Sequence, residues 1–353
     1  MKLSLAYDQK LDTGILGLAV DASGDRVFAA CADGAIFEVD IASGRAKAFE
    51  ARHESYASGC VLLPDGKTLI SGGYDGNLIW HDVEARKSVR TVKAHPFWSW
   101  QLALSPDGAH VASVSGQYLP GGWKYEPAEA QEACVKILET SGGKLVAEYS
   151  HTPPVLSCAF SPDSKHVAAA NMMGEVRVWE VTGSREPVSK WTSPSFTSWG
   201  SIKTHHYCGG IYALAFSPDG AGLVGCGMGA MTDPMAGNGK MTWQRWDWRK
   251  GEKINEIKDG QHGSGLMEAL AWHPDAKHFV MAGKQAQGTW NAAIFDAADG
   301  NLVTSVDTKK RITHARFAKD GSWLILAGAN GQPAPKNGIW PPWGRLQVYR
   351  VDA

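Results

Sequence analysis

The feature that most constrains this chain is a short phrase, an apolar strand followed by a tight turn, that recurs seven times. It reads Leu18-Ala19-Val20-Asp21-Ala22-Ser23-Gly24, then Val61-Leu62-Leu63-Pro64-Asp65-Gly66, then Leu102-Ala103-Leu104-Ser105-Pro106-Asp107-Gly108. It returns as Cys158-Ala159-Phe160-Ser161-Pro162-Asp163 and Leu214-Ala215-Phe216-Ser217-Pro218-Asp219-Gly220, and closes with Leu270-Ala271-Trp272-His273-Pro274-Asp275 and Ala315-Arg316-Phe317-Ala318-Lys319-Asp320-Gly321. Proline presets the first corner of a β-turn, Asp bonds its own backbone, and Gly accepts a positive φ. Before the turn, small and bulky residues alternate, as in Ala159/Phe160 and Ala271/Trp272. A strand sandwiched between two neighbouring sheets needs that pattern, because its side chains alternate between faces.

Taking the residue at the Ser position as a marker gives 21, 63, 105, 161, 217, 273 and 318, separated by 42, 42, 56, 56, 56 and 45 residues. A four-stranded propeller blade takes ~40–45 residues. The longer steps therefore predict blades with inserts. The 40 glycines suit so many turns, whereas the 15 tryptophans need a separate explanation.

A second landmark lies downstream in each unit, an apolar strand ending in an acid: Val39-Asp40, His81-Asp82, Leu138-Glu139, Trp179-Glu180, Trp246-Asp247 and Phe295-Asp296, with Tyr349-Arg350 breaking the rule. A third lies ten residues before the marker, at His53, His95 and His151, while His206 and His262 miss that offset by one. On these landmarks the chain resembles the WD-repeat family. The resemblance covers essentially all 353 residues and implies an all-β fold, a seven-bladed β-propeller of four-stranded antiparallel blades. The expected boundaries are 14–53, 54–95, 96–151, 152–206, 207–262, 263–308 and 309–353. It also implies that the N-terminal stretch 3–9, which alternates like a strand, completes the seventh blade. The family's polar set of His, Ser/Thr, Asp and Trp is nearest to complete in the second unit, as His53, Ser71 and Asp75 with His81 in the Trp position. The other units predict a ring held more by packing.

In an antiparallel meander the turns after the first and third strands share one end. Those turns are short here. The extra residues fall at the opposite end, at about 115–133, 193–210, 227–240, 283–291 and 330–344. Long loops in compact domains are usually functional or disordered, and disordered ones are poor in aromatics. These are rich in Trp, Tyr and Met, residue types favoured at interfaces. We therefore expect a top face that binds a protein or peptide partner through Trp98, Trp123, Tyr125, Trp199, His205, His206, Tyr207, Trp290, Trp340 and Trp343. An alternative is an enzyme or small-ligand or metal-binding propeller, with His206, Tyr207, Glu268 and His314 converging at the mouth of the channel.

No nucleophile elbow, HExxH motif or phosphate-binding loop occurs, so no catalytic residue is named and a non-enzymatic role is expected. The cluster His205-His206-Tyr207-Cys208, with Asp233 and His262 on neighbouring loops, is the best metal-like arrangement. Adjacent histidines in a strand point apart, however, and the expectation is no cofactor and no metal. The cysteines lack metal or disulfide spacing and read as buried apolar residues. With 35 basic and 36 acidic residues, no electrostatic pull toward nucleic acid or an anionic membrane is expected. Residues Met1–Asp8 lack the apolar core of a leader, and no apolar run approaches the ~20 residues of a membrane helix. A cytoplasmic monomer is the simplest expectation.

Overall fold

The computed structural model describes residues 1–117, 132–199, 207–233, 238–331, 336 and 341–352. The chain opens with β1 (Lys2–Leu11) and then lays down consecutive antiparallel sheets. The first holds β2 (Ile15–Val20), β3 (Arg26–Cys31), β4 (Ile36–Asp40) and β5 (Ala46–Ala48). The second holds β6 (Ala57–Leu62), β7 (Thr68–Gly73), β8 (Asn77–Asp82) and β9 (Lys87–Lys93). The third holds β10 (Gln101–Leu104), β11 (His110–Val114), β12 (Val135–Glu139) and β13 (Leu145–Tyr149). The fourth holds β14 (Val155–Phe160), β15 (His166–Asn171), β16 (Glu175–Glu180) and β17 (Ser189–Thr192).

After a single 3-10 turn, β18 (Thr197–Trp199) pairs along the edge of β19 (Tyr207–Phe216). That strand leads β20 (Leu223–Asp233), β21 (Asn238–Asp247) and β22 (Glu252–Glu256). The next run is β23 (Ser264–Trp272), β24 (His278–Gln287), β25 (Ala292–Asp296) and β26 (Leu302–Val306). One bridge, Lys240 to Ser264, joins these two runs into a nine-stranded sheet. The last sheet holds β27 (Arg311–Phe317), β28 (Trp323–Ala329) and β29 (Gly344–Asp352), and takes β1 as its fourth strand, paired from Lys2 opposite Asp352 to Leu11 opposite Gly344 with one register shift between Leu5 and Tyr7. Repeated four-stranded antiparallel sheets of this kind are consistent with a β-propeller. No helix among the described residues is long and apolar enough to cross a membrane.

The recurring phrase folds as its chemistry dictates. Ser105 Oγ donates to Asp107 Oδ1 at 2.5 Å and accepts the His110 backbone N–H at 2.9 Å. Ser161, Asp163 and His166 repeat this with the same distances. Gly108, at φ 73°, makes the turn that follows. Glycine has a different role inside the strands. A Cβ on Gly17 would sit 2.4 Å from the Gly59 Cα, so the innermost strands of the first two sheets approach too closely for any side chain there.

Apolar clusters fill the space between successive sheets. Phe28 and Ile36 meet Ala57 and Leu69; Trp80 and Leu78 meet Leu102 and Val111. Tyr149 stacks on Trp179 at 5.1 Å between the third and fourth sheets. Further along, Val176 meets Trp246, Trp243 meets Phe279, and Ile294 meets Leu324. The final cluster joins Ile325 and Leu346 of the last sheet to Ile15 and Val27 of the first. Burying residues of this size contributes ~1.5–3 kcal/mol each.

The polar set is complete only where the sequence retains it. His53 Nδ1 lies 3.0 Å from Asp75 Oδ1, its Nε2 lies 2.9 Å from Ser71 Oγ, and that hydroxyl lies 2.8 Å from His81 Nε2. His95 and Ser113 make a partial copy at 2.8 Å. In the fourth unit Ala169 stands where Ser71 does, and the buried Trp179 indole N–H has no hydrogen-bond partner among the described residues.

Two of the expected inserts are strand over part of their described residues. Within the insert expected at 227–240, the β20–β21 ladder continues out to Asp233 opposite Asn238, and 234–237 lie outside the described residues. The insert expected at 283–291 likewise continues β23–β24 out to Ser264 opposite Gln287. Their glycines suit close approach as well as turning. A Cβ on Gly227 would meet the Gly210 carbonyl oxygen at 1.9 Å.

Candidate functional site

The innermost strands β2, β6, β10, β14, β19, β23 and β27 line one cavity of about 450 Å³. Residues nearer the beginnings of the same strands, including Leu16, Ser58, Leu156, Tyr212 and Thr313, line a second cavity of about 290 Å³. All seven strands therefore start at the same end, and this mouth is the candidate site.

Local hydrogen bonds build one wall. The Tyr74 backbone N–H donates to the Tyr56 carbonyl at 2.8 Å, tying the β7–β8 turn to the entry of β6. Ser58 Oγ donates to the Ser99 carbonyl at 2.6 Å, and Ser115 Oγ donates to the Trp98 carbonyl at 2.6 Å, so the segment before β10 is fixed from both sides. Five rings are gathered in consequence. Tyr74 stacks on Trp98 with centroids 4.6 Å apart and an interplanar angle of 8°. Phe97 stacks on the same indole at 4.7 Å, Trp100 meets both Tyr74 and Trp98 edge-on at 5.3 Å, and Tyr56 lies 5.4 Å from Tyr74. Tyr56 is 44% exposed and Trp98 38%, among the most exposed large apolar side chains described.

The opposite wall is charged. Arg311 donates to Glu268 through two nitrogens at 2.6 and 2.5 Å, a bidentate pair whose carboxylate is well covered. Burial pushes the Tyr74 phenol up to about 12, and the Glu268 charge adds to the effect. Burial and Glu268 also raise the Tyr212 phenol. Both phenols are therefore neutral at physiological pH and present O–H donors as well as ring faces. Burial, reinforced by Arg316, lowers His314 to about 3 and keeps it uncharged.

Of the residues expected on this face, Trp98 is an exposed member of the cluster. Trp123, Tyr125, His205, His206 and Trp340 lie outside the described residues. Trp199 and Tyr207 are backbone partners where β18 pairs with β19. Trp290 is a core residue instead, 5% exposed and packed edge-on against Phe295 at 5.9 Å. Trp343 is half-buried with its ring against Gly14, where a Cβ would come within 2.5 Å. The alternative constellation is brought together only in part. Glu268 and His314 both line the mouth, but the carboxylate is engaged by Arg311, and His314 Nδ1 faces the Thr313 carbonyl at 3.1 Å. Cys208, in the expected metal-like cluster, is half-buried, and burial raises its thiol pKa, which disfavours the thiolate a metal needs.

Sequence reasoning did not pick out Tyr56, Tyr74, Phe97, Trp100, Tyr212 or Arg311. The available signal was positional. Tyr74 and Tyr56 flank the β6–β7 hairpin at the same end as the inserts, but in short connections.

Comparison with known proteins agrees with this geometry. The pattern of the WD40 family (WD domain, G-beta repeat) matches residues 48–82, 143–180 and 198–230. The chain carries WD40 repeats at those three places. It is 29% identical over 159 residues to eukaryotic translation initiation factor 3 subunit I of Bombyx mori, covering 44% of this chain and 42% of that one. Small ribosomal subunit protein RACK1 of Schizosaccharomyces pombe is 26% identical over 130 residues, covering 37% and 39%. Actin-interacting protein 1 of Caenorhabditis elegans is 29% identical over 190 residues, covering 50% and 27%. The WD-repeat chain thus spans less than half the length of the curated relatives it matches.

Proposed function

We propose that this WD-repeat chain is a seven-bladed ring and a non-enzymatic scaffold that binds a protein or peptide partner on the face where the inner strands begin. The cyclic order of the apolar clusters, returning from the last sheet to the first, supports the ring. So does the shared cavity lined by every inner strand. The observation that carries the binding reading is the aromatic wall: five touching rings, with Tyr56 and Trp98 open to solvent beside a charged pair. Exposed aromatic anchors beside polar groups are the composition of interface hot spots, where a few residues carry most of the binding energy. The partner is a protein segment that covers Tyr56 and Trp98 and offers hydrogen-bond acceptors to Tyr74 and Tyr212.

Affinity capture from the native host with wild-type and Tyr56→Ala/Trp98→Ala protein tests this. A partner retained by the wild type should be depleted at least about tenfold on the double variant, since hot-spot truncations cost ~2 kcal/mol or more. An unchanged set of captured proteins removes the aromatic wall as the docking site. The small-ligand alternative has less support, because Glu268 is committed to Arg311 and His314 to the backbone, leaving no free acid/base pair between them.

A further inference from the structure

The β23–β24 turn departs from its sister turns in one residue that matters chemically. At the marker position the other copies carry Asp21, Leu63, Ser105, Ser161, Ser217 and Ala318, whereas this one carries His273. The imidazole shares in the turn, where His273 Nδ1 accepts the Asp275 backbone N–H at 3.2 Å, but the Asp275 carboxylate holds it as well. Asp275 Oδ1 accepts the backbone N–H groups of Lys277 at 2.8 Å and His278 at 3.0 Å, as Asp65 does for its own turn without a histidine. His273 also brings its ring beside two further ligand-type side chains.

What it adds is a third ligand-type atom at one point. His273 Nδ1 lies 3.1 Å from Asp275 Oδ2, and His278 Nδ1 lies 2.6 Å from the same oxygen. The donor atoms of the three residues all lie within 4.8 Å of one another. Ligands about 2.0–2.1 Å from a tetrahedral zinc ion are about 3.3 Å apart, so small rotations suffice to surround a cation. The far side of the His273 ring is hydrogen-bonded, while that of His278 faces a carboxylate beyond hydrogen-bond reach. His273 Nε2 faces the Gly321 carbonyl at 3.2 Å, and His278 Nε2 lies 4.0 Å from Asp296 Oδ2. A carbonyl can only accept, so the His273 proton sits on Nε2, and its Nδ1 lone pair accepts the Asp275 backbone N–H at 3.2 Å, a bond that a metal ion would displace. Backing a ring N–H with a carbonyl or carboxylate is how proteins orient metal-ligating imidazoles. Phe317 meets the His273 ring edge-on at 5.0 Å, and Gly321 approaches so closely that a Cβ would be 2.3 Å from Nε2. The ring is held, while the three side chains stay partly open to solvent, leaving room for a water as fourth ligand.

We propose that His273, Asp275 and His278 form a binding site for one divalent transition-metal ion of the zinc type. Two imidazoles and one carboxylate suit such a borderline cation better than calcium or magnesium, which take oxygen ligands. The bound ion ties the β23–β24 turn, through His273, to the β27–β28 turn that carries Gly321.

The sister turns supply variants that keep the fold. His273→Ser copies Ser105, Ser161 and Ser217, and His278→Thr copies Thr68. Full-length protein stripped with a chelator is titrated with zinc ion against a chromophoric chelator, and thermal unfolding is followed with and without zinc. The wild type should bind one equivalent more than either variant at the strongest site, with zinc raising its unfolding midpoint. Affinity at that site should fall at least about tenfold in each variant, since losing even a group behind a ligand costs 10–100-fold. Equal stoichiometry and affinity in wild type and both variants, or no zinc bound by the wild type, overturns the proposal. Zinc held equally by all three proteins would have to sit elsewhere, and that too refutes it.

Discussion

The hydroxyl of Thr313 donates to the carbonyl of Ile15 at 2.8 Å, joining residues 298 positions apart in the chain. It lies beside the cluster in which Ile15, Leu18 and Val27 pack on Ile325, Leu346 and Val348. The first sheet thus rests directly on the last, and β1 pairs with β29 along nearly its whole length. Removing residues 2–11 leaves the β29 edge as a row of unpaired backbone groups, a template for association. The truncated protein is expected to unfold at lower temperature and to run as dimers or aggregates in size-exclusion chromatography with light scattering. A monomer as stable as the full chain would contradict closure by β1.

Ser71 sits between two buried imidazoles, 2.9 Å from His53 Nε2 and 2.8 Å from His81 Nε2. Ser71→Ala deprives both rings of a partner at once. Leaving a buried polar group unsatisfied costs ~1–3 kcal/mol. Urea unfolding should show a loss in that range for Ser71→Ala, against less than about 0.5 kcal/mol for the exposed Ser184→Ala. Equal small losses would mean that packing alone holds the second unit.

The buried histidines give stability a pH dependence of definite sign. Burial lowers His81 to about 3, with the nearby His53 adding to it, and burial lowers His95 to about 3 with help from Lys136. The unfolded chain, with ordinary imidazoles near 6.5, therefore binds more protons than the folded one between pH 6.5 and 3. Stability is full above about 6.5 and is lost as the pH falls toward 3. Asp75 adds a second phase. Burial alone would raise its pKa, but hydrogen bonds from His53 and the backbone outweigh that and hold it at about 2, so its contribution is lost below its ordinary value near 3.8. Melting temperature should fall steadily from pH 7 to 4, and less steeply in His81→Phe. A flat profile over that range would exclude neutral buried histidines.

Trp290 separates core from surface. Its indole packs with Phe295 and Trp243 rather than facing solvent. Trp290→Ala is expected to cost ~3–5 kcal/mol of stability and to leave partner capture unchanged at a temperature where the variant is folded. Tyr56→Ala/Trp98→Ala should do the reverse. Lost capture by folded Trp290→Ala would show that this indole reaches a partner.

What the sequence made legible was local or periodic. The Ser105-Pro106-Asp107 turn declares itself because its hydrogen bonds close within five residues. The strand β1 was legible from its alternation and from the missing fourth strand of the last unit. The Gly-rich stretch around Gly227 misled, because glycine serves both turns and close backbone approach, and only the neighbouring Gly210 carbonyl distinguishes them. The mouth was illegible for a different reason. Tyr74, Tyr212, Glu268 and Arg311 come from four units and meet only once the sheets are arranged around one cavity. The turn at His273 looked like an ordinary repeat until Gly321 was seen behind it.

The pairing of β1 with β29 also orders events in time. Of the strands described, β1 is made first and its partner β29 last. At about 5–20 residues per second, the interval between translation of Leu11 and of Gly344 is on the order of tens of seconds. Throughout it β1 waits without a neighbour, carrying Lys2, Asp8 and Lys10 among its apolar residues, charges that discourage a wrong edge-to-edge match. A ribosome that stalls before Gly344 leaves β1 and β28 as two exposed edges, both waiting for the same missing strand.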